Sequence, residues 1–67
     1  MTVQLNIPEV KRQMATNKLR NMDLADRSGI SRQGVSLILK RGTCSIINAG
    51  RLADALEVDA GTIMKEG

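Results

Sequence analysis

Arg32 and Gln33 are the residues of this chain best equipped for recognition chemistry, because both carry planar ends with several hydrogen-bonding groups and both open a segment with helical spacing. Arginine can donate two parallel bonds to O6 and N7 of guanine, and glutamine can pair in the same way with N6 and N7 of adenine. Each good pair contributes about 1–3 kcal/mol of discrimination. At about 100° per residue, Ser36 and Lys40 fall on the same side as Arg32 and Gln33, whereas Val35 and Ile38 fall on the other. Taken alone, such a polar side is also what an ordinary solvated helix presents, so the surrounding elements must decide between the two. Other chemistry is poorly provided for. The chain has no histidine, one cysteine, no evident pair of carboxylates and no glycine-rich phosphate loop, which leaves no catalytic constellation, zinc cluster or cofactor site. A binding protein is expected, not an enzyme.

The residues that must position this side are spaced as two short helices joined by a sharp turn would need them. Leu24 buries the first helix and Ala25 lets the second cross it closely. Gly29 can take the positive φ of the turn and ends a helix over 21–28, while Ile30, Val35 and Ile38 fill the space between the two. Ser31 is an N-cap candidate for a helix over 32–40. A helix-turn-helix is the economical explanation.

From Leu19 through Lys40, then through Lys-Arg-Gly-Thr-Cys-Ser at 40–45 and Ala-Gly-Arg-Leu-Ala-Asp-Ala-Leu-Glu-Val at 49–58, the chain resembles the lambda-repressor-like, Cro-type helix-turn-helix proteins, also called the XRE family. About two thirds of the chain is covered, by spacing and not by a rare signature. The resemblance implies an all-α, five-helix DNA-binding domain whose third helix reads the major groove with Arg32, Gln33, Ser36 and Leu37. It also implies phosphate contacts from Asn21 on one backbone strand and from Lys40, Arg41, Thr43 and Ser45 on the other side. Ser31 is a cap first and a phosphate or base contact second. Asn21 has a plainer alternative as an N-cap, and Lys18 and Arg20 are better read as solvated charges. Leu37 departs from the polar residue many relatives carry; it can touch a thymine methyl group, pack against a partner or simply be exposed.

Composition narrows the partner. The chain has no Phe, Tyr or Trp, which removes the stacking platforms of single-strand binders and favours a double-stranded DNA operator. Between Asp26 and Asp54 lie Arg27, Arg32, Lys40, Arg41 and Arg51 with no acid, whereas 54–67 carries Asp54, Glu57, Asp59 and Glu66 against Lys65. One pole suits phosphates and the other does not. At 67 residues one domain is expected, burying only about 60% of its unfolded surface, which fits a Cro-sized regulator better than a repressor with a separate dimerisation domain. No apolar run is long enough for a signal peptide or membrane span, so a cytoplasmic location is expected, at the nucleoid of a bacterial cell or phage-infected host.

The remaining segments follow from pattern. Residues 1–7 alternate apolar and polar at Val3, Leu5 and Ile7 and predict an extended N-terminal arm ahead of a helical domain over 8–67. The arm can pair with another copy or fold back over its own helices, and the small core favours folding back. The first helix is expected over 8–16 with Val10, Met14 and Ala15 inward, and 41–44 as a loop. Ser45 then caps a fourth helix that buries Ala49, Leu52, Ala53 and Leu56, and a short fifth helix follows from Ala60 to Lys65, with Ile63 on the core. Gly34 within the third helix costs about 1 kcal/mol relative to alanine, offset by close approach to a DNA backbone or by packing. Gly50 can permit a close helix crossing or a dimer contact, core packing being preferred. Cys44 reads as a small loop residue and not a redox switch, and the methionines as gap-fillers and not metal ligands.

The function expected from these observations is a small phage or mobile-element repressor, acting alone or as a homodimer. Two alternatives use the same fold differently: a modulator or antirepressor that binds a larger repressor protein, or the antitoxin of a toxin pair. In the modulator, Leu37, Leu39 and the apolar arm Val3-Leu5-Ile7 would supply the protein contact, whereas the antitoxin would carry a partner site on its DNA-binding domain.

Overall fold

The computed structural model describes residues 1–65. In chain order the elements are β1 (Thr2–Gln4), α1 (Ile7–Thr16), α2 (Asn21–Ser28), α3 (Arg32–Arg41), β2 (Thr43–Ser45), α4 (Ile46–Leu56) and α5 (Ala60–Ile63). The five expected helices are present, with a small two-stranded sheet added. Glu66, counted above in the acidic pole, and Gly67 lie outside the described residues.

Each helix start has a local cause. The Asn6 side chain accepts a bond from the Glu9 amide at 3.2 Å, so α1 begins one residue ahead of Pro8. Glu9 then binds Arg12 (2.7 Å) and Gln13 (2.8 Å) one turn on, and the Arg12 bond above all holds its carboxyl below the usual range. At α2 the Arg20 amide donates to Asp23 Oδ2 at 2.9 Å, with the Arg20 guanidinium at 3.2 Å from the same oxygen. Ser31 and Ser45 cap α3 and α4 as expected, accepting from the Gly34 amide at 3.0 Å and the Asn48 amide at 3.1 Å. Asp59 precedes α5 without a side-chain cap bond.

The core gathers on α4. Leu24 from α2, Val10 from α1, Val35 from α3 and Ile63 from α5 surround Leu52 and Leu56, all almost completely buried. Met14 is buried with them, but Ala15 is exposed, contrary to the expectation. A ten-residue helix has only a narrow inward stripe, and Val10 with Met14 fills it. The Asn17 side chain donates to the Leu56 carbonyl at 3.4 Å, tying the end of α1 to the end of α4.

The arm folds back. β1 pairs antiparallel with β2, with Thr2 opposite Ser45, Val3 opposite Cys44 and Gln4 opposite Thr43. The segment after α5 flanks the arm's other side, where Leu5 pairs with Met64 and the Lys65 amide donates to the Gln4 carbonyl at 2.8 Å. Leu5 is therefore buried, while Val3 and Ile7 are half-buried against the core. The expected loop over 41–44 is thereby corrected: Arg41 closes α3, Gly42 takes φ 77°, and Thr43–Ser45 form a strand. Three residues are too few to show a period of two, and the strand exists because the arm supplies its partner. Cys44 points inward from β2, and burial pushes its thiol pKa up, away from the reactive thiolate.

Two glycines separate contact from propensity. A Cβ at Gly34 would lie 2.9 Å from Ile30 Cγ2 and 3.0 Å from the capping Ser31 Oγ, so a methyl group there would crowd the turn and these two side chains would have to shift. At Gly50 a Cβ would meet nothing within 4 Å, so no close helix crossing within the fold explains it. Gly50→Ala is expected to stabilise the monomer by about 0.5–1 kcal/mol. Gly34→Ala, despite the same gain in propensity, is expected to cost about 1 kcal/mol through crowding and a weakened cap. Urea denaturation of the two variants at low protein concentration checks both signs.

Candidate nucleic-acid interface

The turn between α2 and α3 is set by three features. Gly29 takes φ 75°. The buried Ser28 hydroxyl donates to the Ala25 carbonyl at 3.3 Å and accepts from the Ile30 amide at 3.2 Å, which satisfies the backbone where the chain reverses. Val35 and Ile38 then hold the inner side of α3 against the core. What remains outside is a polar face, with Arg32, Gln33, Ser36 and Lys40 all exposed and Leu37 40% exposed beside them.

This face is electrostatically uncommitted. Among the described residues the ion pairs are Arg12 with Glu9 and Arg20 with Asp23, so Arg32, Lys40 and Arg41 keep their charge for a ligand. Arg20 does not, in line with its reading as an ordinary surface charge. Ser31 and Ser45 use hydroxyl oxygens as acceptors for their helix caps, which leaves each hydroxyl proton able to donate to an anion. Thr43 and Ser45 are half-buried on the side of β2 opposite the inward Cys44.

Asn21 is the first residue of α2 and not its cap, since Arg20 holds that position. Its exposed side chain makes no hydrogen bond among the described residues. It opens onto a groove of about 470 Å³ between α1, α2 and the end of α3, lined also by Lys11, Leu39 and Lys40. The expected assignment had Asn21 and Lys40 facing opposite backbone strands; here they border one groove. A second groove of about 370 Å³ adjoins it, bordered by Lys40, Arg41, Thr43, Gln4 and Lys65.

A family model for the Cro/C1-type helix-turn-helix DNA-binding domain matches residues 9–65. The chain belongs to that family. No curated protein and no solved structure matches the chain significantly. As a Cro/C1-type domain it binds double-stranded DNA, and no helix among the described residues is long and apolar enough to cross a membrane.

Lys11 and Lys65 of this Cro/C1-type domain border the two grooves from elements whose sequence gives no sign of it. Lys11 lies on the outer side of α1, where helical periodicity marks only a solvated lysine. Lys65 belongs to the acidic end of the sequence, and only the pairing of Lys65 with Gln4 carries it to the basic groove. No local signal marks either of them. The surfaces a protein-binding modulator would use are largely taken up by the fold, since Leu5 is buried and Val3, Ile7 and Leu39 are packed against the core.

Proposed function

We propose that this domain is a sequence-specific transcriptional regulator, a small Cro-like repressor of a phage or mobile element, that lays α3 in the major groove of a duplex operator. The observation that carries this reading is the α3 face itself, whose Arg32, Gln33, Ser36 and Lys40 are exposed and free of ion pairs while Val35 and Ile38 anchor the opposite side. Arg32 reads a guanine, Gln33 an adenine and Ser36 a neighbouring base edge, and Leu37 touches a thymine methyl group. Asn21, Ser31, Lys40, Arg41, Thr43 and Ser45 hold phosphates and fix the register. Bound at its operator in the cytoplasm, the protein excludes polymerase or another regulator, acting by occupancy and not by catalysis. Gel-shift titration against random and selected duplexes tests this directly. Tight, sequence-dependent shifts are expected, and no binding to any duplex at low salt contradicts it.

A second copy would complete a two-fold operator whose half-site centres lie about 34 Å apart. The exposed side of α4 suits this contact. Ile46 and Ile47 are 52% and 67% exposed there, beside the open Gly50. Arg51 and Asp54 lie one turn apart on the same side, so that antiparallel approach about a two-fold axis sets opposite charges against each other. Ile47→Asp is expected to convert a symmetric footprint into a half-length one and a dimer into a monomer. Footprinting with sedimentation checks this, and a short asymmetric footprint from the unaltered protein removes the dimer.

A further inference from the structure

We propose that Lys11 and Lys65 are additional phosphate-contacting residues, so that the duplex backbone runs on past the C-terminal end of α3 through both adjoining grooves. This rests on α3 being the element that enters the DNA. The two grooves share Leu39 and Lys40 and therefore lie side by side at that end of the helix. Four cations border them, Lys11 and Lys40 on one and Lys40, Arg41 and Lys65 on the other, and among the described residues no acid lines either. Like charges gathered round a concavity repel one another unless an anion occupies it, and two such concavities in a row suit an anion that repeats. Phosphodiesters along one strand are such an anion, and Asn21, Gln4 and Thr43 add neutral hydrogen-bonding groups between the charges.

The construction of the second groove is specific to this fold. One wall is the end of α3 with Gly42 and Thr43; the other is the folded-back arm with the segment after α5. The bond from the Lys65 amide to the Gln4 carbonyl, at 2.8 Å, fixes that second wall. The arm therefore contributes to DNA binding by holding Lys65 in place, without itself reaching a base.

The test measures affinity across a range of salt for the full chain, Lys11→Gln, Lys65→Gln and the double variant, with Arg32→Ala alongside. Each lysine variant is expected to make the plot of log affinity against log salt shallower by about 0.9, and the pair by about 1.8, with the order of preferred sequences unchanged. On a duplex cut back to the bases under α3, the lysine variants are expected to match the unaltered protein, because the extra phosphates are gone. Inorganic phosphate competing at one lysine site equally on short and long duplexes would show a free-anion site and overturn the proposal. Unaltered salt slopes in the double variant, with Arg32→Ala still losing sequence preference, overturn the proposal and leave the α3 reading intact. Unchanged preference in Arg32→Ala overturns both. Melting curves matching the unaltered protein establish that these exposed substitutions leave the fold in place.

Discussion

Deleting residues 2–6 is expected to remove about 3–5 kcal/mol of stability, a large share of what a domain of this size has, and to do so at every protein concentration. Leu5 is 4% exposed, and burying a leucine to that degree is worth about 2–5 kcal/mol when it is truncated. The deletion also removes the Asn6 cap of α1, leaves β2 without a partner and frees the segment after α5. Leu5→Ala isolates the burial contribution and should cost about 2–4 kcal/mol while preserving the strands. Thermal melts followed by circular dichroism check both variants. A deletion that left the melting temperature unchanged and shifted a dimer to monomer would instead make the arm an association device, contrary to its position between β2 and Met64.

Arg32→Ala is expected to cost about 1–3 kcal/mol on the cognate duplex and little on random DNA, so that preference at one base pair collapses. Lys40→Ala should weaken all duplexes alike and lower the salt slope by about one unit. The contrast follows from position. Arg32 is at the first turn of α3 beside the Ser31 cap, where a helix in the groove lies deepest, whereas Lys40 is in the last turn, between the two basic grooves. Competition binding with a panel of single-base operator variants measures the difference. If Arg32→Ala weakened every duplex by the same factor, Arg32 would be a phosphate contact and the base assignment would fall.

The helix-turn-helix was legible because everything that specifies it is local. Leu24, Ala25, Gly29, Ile30 and Ser31 lie within eight positions, and each acts through spacing, a positive φ or a cap bond that one turn of chain contains. Ser45 and the apolar positions of α4 were legible for the same reason. The sheet was not, because Thr43–Ser45 have no strand pattern of their own and their partner, Thr2–Gln4, lies at the other end of three helices. Lys18 and Glu57, at φ 56° and 58°, end α1 and α4 in the left-handed region without the glycine that would have announced it. The reason for Gly34 was equally hidden, since the contact with Ile30 Cγ2 depends on how tightly the turn closes. Among the candidate contacts, the polar face of α3 followed from periodicity, whereas the neighbourhood of Lys40, Lys11 and Lys65 required three elements to be brought together.

Acid should loosen the ends of α1 and α2 before it reaches the core. Asp23 is held below the usual carboxylate range by the Arg20 amide first and its guanidinium second, and Glu9 by Arg12 and then Gln13. Both groups are lowered in the folded state, so their contribution is present above about pH 4 and is lost as the pH falls through the lowered values.

The most direct test of the account is a nuclear magnetic resonance titration of uniformly ¹⁵N-labelled protein with a selected duplex, following every backbone amide. The largest shifts are expected from Ser31 to Lys40, at Asn21 and at Thr43 to Ser45, with smaller ones at Lys11 and Lys65 and almost none from Glu57 to Asp59. Shifts confined to α4 and α5, with the amides of Arg32, Gln33 and Ser36 unmoved at saturation, would contradict it.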